Sequence, residues 1–211
     1  MNMTVNNSGG VNFAAALASG DIQTIIQMVQ SERVRLLDSQ LVDQVKAVQS
    51  RNDQIAKLNN VLSSLNAYSS QIKGTDAQSK PADWGSNNEL RKTYEVAVND
   101  AIQDAGITDL GIQQHDGLRS AKPGEQPSHP WEAVNGVLIH GTNVINPTVT
   151  KGEVDAAITK IKGMIDAESN NQQMDMLRLQ SLNNKKNESI EILTNTQKKH
   201  TDSASSIIRN I

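Results

Sequence analysis

Helix-breaking residues in this chain are confined to its middle, and that confinement limits the fold more than any other feature. All five prolines (Pro81, Pro123, Pro127, Pro130, Pro147), both tryptophans and eight of the thirteen glycines fall within residues 74–150. Proline lacks the backbone donor a helix needs, and glycine loses more backbone entropy than any other residue. The flanking stretches, 21–73 and 151–211, are therefore free to be helical. The fold class read from this layout is mainly α: long N- and C-terminal helices forming a coiled-coil hairpin, with a small α+β insert between them over residues 74–150.

The apolar positions of the first stretch follow a helical period. One seven-residue series reads Val34, Leu41, Val48, Ile55, Leu62. Its companion reads Leu37, Gln44, Arg51, Leu58, Leu65, Ile72, apolar but interrupted. Asp21 is expected as N-cap and Gly74 as the C-terminal stop. In the second stretch Val154, Ile158, Ile161, Ile165, Met176, Leu179, Leu182, Ile190, Leu193, Ile207 and Ile211 recur at spacings of three or four or their sums. Gln172, Lys186, Gln197 and His200 fall where a tight two-stranded coil would carry aliphatics. Such a hairpin buries one narrow stripe per helix, little against the entropy of ordering the chain. Further copies can supply the missing burial. The apolar pattern also continues through Ile207, Ile208 and Ile211, where a fraying end would be polar.

Within the insert, residues 74–86 read as a connector, and Asn87 or Asn88 is expected to cap a short helix running to about Ala105. Leu90, Tyr94, Val98 and Ile102 share one face of it, and Gly106 ends it. Residues 118–131 hold three prolines and Gly124 and read as loop. Residues 133–139, with Asn135-Gly136, read as a small hairpin on a type I′ turn. Trp84, Tyr94 or Trp131 is expected to rest the insert on the long helices, with its loops displayed outward.

Composition removes several function classes. Only 36% of the chain is apolar and five residues are aromatic, whereas Asn, Gln and Ser number 57, so solvated faces or wet subunit contacts outweigh a large core. A net charge of -3 gives no electrostatic reason to bind nucleic acid or an acidic membrane surface. The basic residues of the C-terminal stretch, among them Arg178, Lys185, Lys186, Lys198, Lys199 and Arg209, have no interleaved aromatics to stack bases and are offset by Asp175, Glu188, Glu191 and Asp202. The absence of cysteine rules out disulfides and thiolate chemistry. No run of about 18 apolar residues is present to span a bilayer, and residues 1–10 lack the basic and apolar regions of a Sec signal.

Catalytic constellations are missing as well. His115, His129 and His140, with Asp109, Asp116 and Glu132 nearby, match no metal-ligand spacing. Gly106, Gly111 and Gly117 lack the following helix and lysine of a phosphate-cradling loop, and no Gly-x-Ser-x-Gly nucleophile elbow occurs. The expectation is a non-enzyme with no catalytic residue, no cofactor and no metal.

The run QQMDMLRLQSLNNKKNESIEILTNTQKKHTDSASSIIRNI, residues 172–211, resembles the C-terminal helix of filament-forming needle-tip proteins of bacterial type III secretion systems, most closely those of Bordetella-type systems. The likeness is strongest from Gln172 to Thr194 and returns from Ser205 to Asn210. A weaker likeness covers DIQTIIQMVQSERVRLLDSQ and QIAKLNNVLSSL in the first stretch. The plan is also similar to that of the enteropathogenic filament protein, whose terminal helices pair around a central channel. The resemblance implies a secreted, extracellular subunit on the bacterial surface at the tip of the type III needle. It would polymerise into a hollow helical filament linking the needle to the translocon. Its implied partners are further copies of itself, the needle subunit, pore-forming translocator proteins in the host membrane and a cytosolic export chaperone, without direct membrane insertion of its own. Residues 1–20 then read as a flexible N-terminal secretion-signal region. The alternative is a closed oligomeric needle-tip cap, or a coiled-coil scaffold that does not polymerise.

The residues expected to carry helix packing and assembly are Val34, Leu41, Val48, Ile55, Leu58, Leu62, Leu65, Leu179, Leu182, Ile190, Leu193, Ile207, Ile208 and Ile211. Leu58→Asp or Leu193→Asp is expected to cost several kcal/mol by placing an unpaired charge in a packed seam, and to abolish folding or assembly. Substitutions at Lys122 or Glu125, in a predicted loop, should be nearly neutral in a polymerisation assay. The reverse ranking would mean that inside and outside have been exchanged.

Overall fold

The computed structural model describes residues 22–82, 84, 88–112, 117–125, 138–141 and 145–209. Helix α1 (Ile22–Ser69) leads to α2 (Asn88–Leu90), a π-helical segment (Arg91–Val96) and α3 (Ala97–Asp104). Strands β1 (Gly117–Ser120) and β2 (Leu138–Gly141) follow, and then helix α4 (Lys151–Arg209). The protein is mainly helical, with the long N-terminal helix packed against the long C-terminal one. The chain divides into two compact units: Gln49–Gln173 forms one, and Met1–Val48 with Met174–Ile211 the other.

The unit Gln49–Gln173 holds the hydrophobic core. Leu58, Val61, Leu65 and Tyr68 from α1 join Val154, Ala157 and Ile161 from α4, and between them lie Trp84, Val98, Ile102, Ile145 and Val149, all buried. Each fully buried large side chain contributes about 1.5–3 kcal/mol. The segment between the long helices therefore shares one core with them. Its aromatic anchor is Trp84, 5.7 Å from Tyr68 in an edge-on contact and 5.9 Å from Tyr94. The Tyr68 hydroxyl donates to the Asn146 carbonyl at 2.6 Å. Burial first, then the carboxylates of Glu95 and Glu153, push the Tyr68 hydroxyl far above its ordinary pKa. It remains a neutral donor.

Helix α1 stops at Ser69, short of Gly74. Turn bonds from the Gln71 and Ile72 amides to the Tyr68 and Ser69 carbonyls close it in the tighter three-residue manner, and the Ser70 hydroxyl donates to the Ala67 carbonyl. Gly74 serves close approach instead: a Cβ there would lie 2.6 Å from the Ser79 Cβ. That approach seats the connector against the start of α4. The Lys151 amide donates to the Ser79 carbonyl at 2.7 Å and the Gly152 amide to the Ala77 carbonyl at 2.8 Å. Thr150 and Glu153 form a capping box: Glu153 accepts from the Thr150 amide and hydroxyl, both at 2.9 Å, and its own amide faces the Thr150 hydroxyl at 3.4 Å. The first-turn donors of α4 are thereby accounted for. Gly152 is constrained by the same contact, since a Cβ would stand 3.2 Å from the Ala77 carbonyl oxygen.

The expected short helix is present, with a π segment inside it. Leu90, Tyr94, Val98 and Ile102 recur every four residues, a period longer than the 3.6 of an α-helix, and the wider π turn absorbs the excess. Gly106, at φ 69°, closes it. The predicted loop over residues 118–131 is corrected at its start, because Gly117–Ser120 is a strand pairing antiparallel with Leu138–Gly141, Leu118 opposite His140. The Asn135-Gly136 turn and Trp131 lie outside the described residues. Side chains of the helix hold the other edge of β1. The Leu118 amide donates to buried Glu95 at 2.8 Å, and Asp100 accepts from the Ser120 amide and hydroxyl at 2.8 and 2.6 Å. Glu95, with no exposed surface, is paired by Arg91 at 2.8 Å.

Past the strand, Glu125 receives Arg119 at 2.8 and 3.0 Å and the Lys122 amide at 2.7 Å. These bonds, the Arg119 one foremost, pull its pKa down to about 2. Glu125, expected in an exposed loop where substitutions are nearly neutral for assembly, thus ties that loop to β1.

Asn99 is the central polar clasp of this unit. Fully buried, its amide donates to the Leu118 and Ile145 carbonyls at 2.8 and 2.9 Å, and its oxygen accepts from the Ile145 amide at 2.7 Å. Asn99→Ala leaves three buried backbone groups unpaired and is expected to cost about 3 kcal/mol, read as a lower urea midpoint with an unchanged slope. A loss below about 1 kcal/mol would show that other groups or water take over the clasp.

Candidate assembly surface

In the unit formed by Met1–Val48 and Met174–Ile211, the described parts of α1 and α4 run antiparallel, Asp38 meeting Lys186 at 2.6 Å and Gln44 meeting the Asp175 carbonyl at 3.2 Å. The seam is thin. Leu37 and Gln44 are buried, and Val34, Leu41, Val48, Leu179, Leu182 and Leu193 are half-buried. Ile190 is exposed. Ile207 and Ile208 lie on α4 with side chains outside the described residues, as is Ile211 altogether. In the other unit Leu58 and Leu65 are fully buried, and Ile55 and Leu62 half-buried.

Several of the polar residues that interrupt the two seams are bonded, across the seam or within their own helix. Gln44 reaches the Asp175 carbonyl, Lys186 reaches Asp38, and Ser189, itself buried, donates to the Lys185 carbonyl one turn back at 2.8 Å. In the unit Gln49–Gln173, Arg51 binds Glu168 at 2.6 Å, both half-buried, and Gln172 bonds Asn52. Apolar contact tolerates sliding, whereas a hydrogen bond is lost on a slip of one residue. These pairs therefore fix the alignment of the helices at some cost in stability.

A second face of α1 is left uncovered. Ile22, Ile26, Val29 and Leu36, spaced at four, seven and fourteen residues from the first, form one stripe, with exposures of 69%, 38%, 47% and 49%. Over the same turns Gln23, Gln27 and Gln30 are less exposed than these aliphatics, and the Gln30 side-chain oxygen is shut off from solvent without accepting a hydrogen bond. The ordinary polarity of a surface helix is inverted there. On α4, Met174 and Leu177 are also exposed, at 65% and 66%. None of these residues lies in the two heptad series. The seven-residue spacing Ile22, Val29, Leu36 was present in the sequence as the signal that could have marked them.

Among the described residues no group of three or more histidine, aspartate or glutamate side chains is placed to hold a metal ion. His115 and His129 lie outside the described residues. Among the described residues no helix is long and apolar enough to cross a membrane. A shallow open depression of ≈ 310 Å³ in the other unit, lined by Ala56, Lys57, Asn60, Ala101 and Asp104, offers one lysine and one carboxylate and no nucleophile–base pair. No family model, no curated protein and no solved structure matches the chain.

Gln44→Leu replaces the buried amide with a side chain suited to the seam. It is expected to raise stability by about 1 kcal/mol, roughly 2–4 °C in melting temperature for a chain of this size, while broadening the species seen by sedimentation velocity. A lower melting temperature with a single sharp species would contradict an alignment role for Gln44.

Proposed function

We propose that the chain is a secreted structural subunit of a type III secretion needle tip, polymerising into a hollow helical filament that links the needle to the translocon. The observation that carries self-assembly is the uncovered aliphatic stripe of α1 beside a thin, polar seam. Contiguous exposed apolar surface marks interaction sites on soluble proteins. The resemblance of residues 172–211 to filament-forming tip proteins supplies the setting and the other partners: the needle subunit, pore-forming translocators and an export chaperone. In this reading the terminal helices form a coiled-coil hairpin whose outward stripe packs against neighbouring copies, and the loops of the α+β segment face outward. Polar pairs within the seam tolerate water and suit helices close to a wet lumen. The absence of disulfides permits passage through a narrow conduit as an unfolded chain.

Purified protein is expected to form long uniform tubes in negative-stain images. Val29→Asp, a substitution at an exposed position, should leave folding stability within about 0.5 kcal/mol and circular dichroism unchanged, yet abolish the tubes. Deletion of residues 204–211 should do the same. Wild-type protein that stays monomeric at high concentration, without homotypic crosslinks, would refute filament formation, and one closed small oligomer would favour a tip cap.

A further inference from the structure

The aliphatic stripe of α1 has a counterpart on α4. Met176, Gln180, Asn183, Asn187, Ile190 and Thr194 follow one another at spacings of four and three, and all six are exposed. No member is charged, although Arg178, Lys185, Lys186, Glu188 and Glu191 occupy the same stretch of helix. The α4 seam beside it holds Asp175, which is buried, and Lys186, which pairs with Asp38. On this helix the outward stripe is therefore freer of charge than the inward one. The α1 stripe is similar in kind, because Ile22 to Ser31 carry no charge and Arg33 alone interrupts the face between Val29 and Leu36.

The two stripes lie on opposite sides of the hairpin. Each is turned about 100° from its own seam, in one sense on α1 and in the other on α4, and in an antiparallel pair opposite senses mean opposite sides. Val42 and Val45 of α1, both exposed, fall on the α4-stripe side. Val45 and Met176 each follow directly on a member of the bonded pair Gln44 and Asp175, so they extend that stripe across both helices. The lengths also agree. Ile22 to Leu36 and Met176 to Ile190 are fourteen residues each, about 21 Å of helix.

We infer that the α1 stripe of one copy seats on the α4 stripe of the next, a deepening of the self-assembly proposed above, on which it rests. Pressing these faces together desolvates few ions, and the side-chain amides of Gln180, Asn183 and Asn187 can accept from the Arg33 guanidinium directly or through water. Aliphatic meets aliphatic at both ends in either direction of approach, with Val29 over Asn183 at the middle. The contact is head-to-tail. Repeated, it makes an open series of copies, whereas α1 against α1 closes a dimer and leaves both α4 stripes bare.

The chain has no cysteine, so one introduced thiol per copy reports which surfaces meet. Full-length Val29→Cys protein is mixed with full-length Asn183→Cys protein, allowed to assemble and oxidised mildly. Peptide mapping is expected to find links between positions 29 and 183 in excess over links between two positions 29 or two positions 183. Asn183→Asp is expected to raise the critical concentration for tubes about tenfold. Asn184→Asp, the same change one residue on and about 100° round α4, should leave it within about twofold. Predominant links between two positions 29 would show closed α1 pairing and overturn the inference while self-assembly stands. Tubes without a link between 29 and 183, or equal effects of the two aspartates, would do the same. If neither tubes nor links form in any mixture or in wild-type protein, the inference falls together with the self-assembly beneath it.

Discussion

The edge-on contact of Tyr68 with Trp84, tied down by the Tyr68 hydroxyl on the Asn146 carbonyl, is the point on which the packed unit depends. A chain with five aromatic residues can build one dense core, and three of them, Tyr68, Trp84 and Tyr94, are spent in it. The contact joins α1 to the connector after it, and the hydroxyl adds the chain just before α4. Aliphatics on the two long helices then close around this centre. Among its described residues the unit containing the chain ends has nothing comparable, its buried apolar content there being Leu37. That unit is held by half-buried aliphatics and polar pairs. Its uncovered surface follows from how the large side chains are distributed.

Much of the helical layout was legible because it rests on local physics. The breakers fall between the helices, Gly106 closes the short helix in the left-handed conformation only glycine adopts freely, and Leu58 and Leu65 are fully buried. The end of α1 is not legible from Gly74, because a tightened turn at Ser69 ends the helix and Gly74 instead admits Ser79. The capping box Thr150-x-x-Glu153 is a signal the sequence does carry. β1 was hidden for a different reason. Its four residues carry little strand pattern, and the bonds that fix one of its edges come from Glu95 and Asp100 on a helix distant in sequence. The outward stripe escaped because heptad counting followed one face of α1, while a second face repeats seven apart as well.

Four of the polar interruptions in the seams, read from the sequence as weaknesses, are partnered. Gln44, Arg51, Gln172 and Lys186 each find a group on the facing helix. An all-aliphatic seam of the same length would bind more strongly and choose its partner less strictly. Such selectivity keeps the two helices in one alignment while a second apolar face of α1 stays exposed. The stability of the hairpin and the availability of its outer face then belong to different residues, and selection can adjust either alone.

The antiparallel run of α1 and α4, with Asp38 beside Lys186 and Gln44 beside Asp175, has a mechanical consequence. Tension that draws the outer ends of these helices apart peels the seam one pair at a time, in the manner of a zipper. Shear along the helices would instead load all the pairs together. Peeling needs little force at any moment, however strong the whole seam is. A helix pair joined in this way can resist sliding along its length and still be opened by a modest pull at one end.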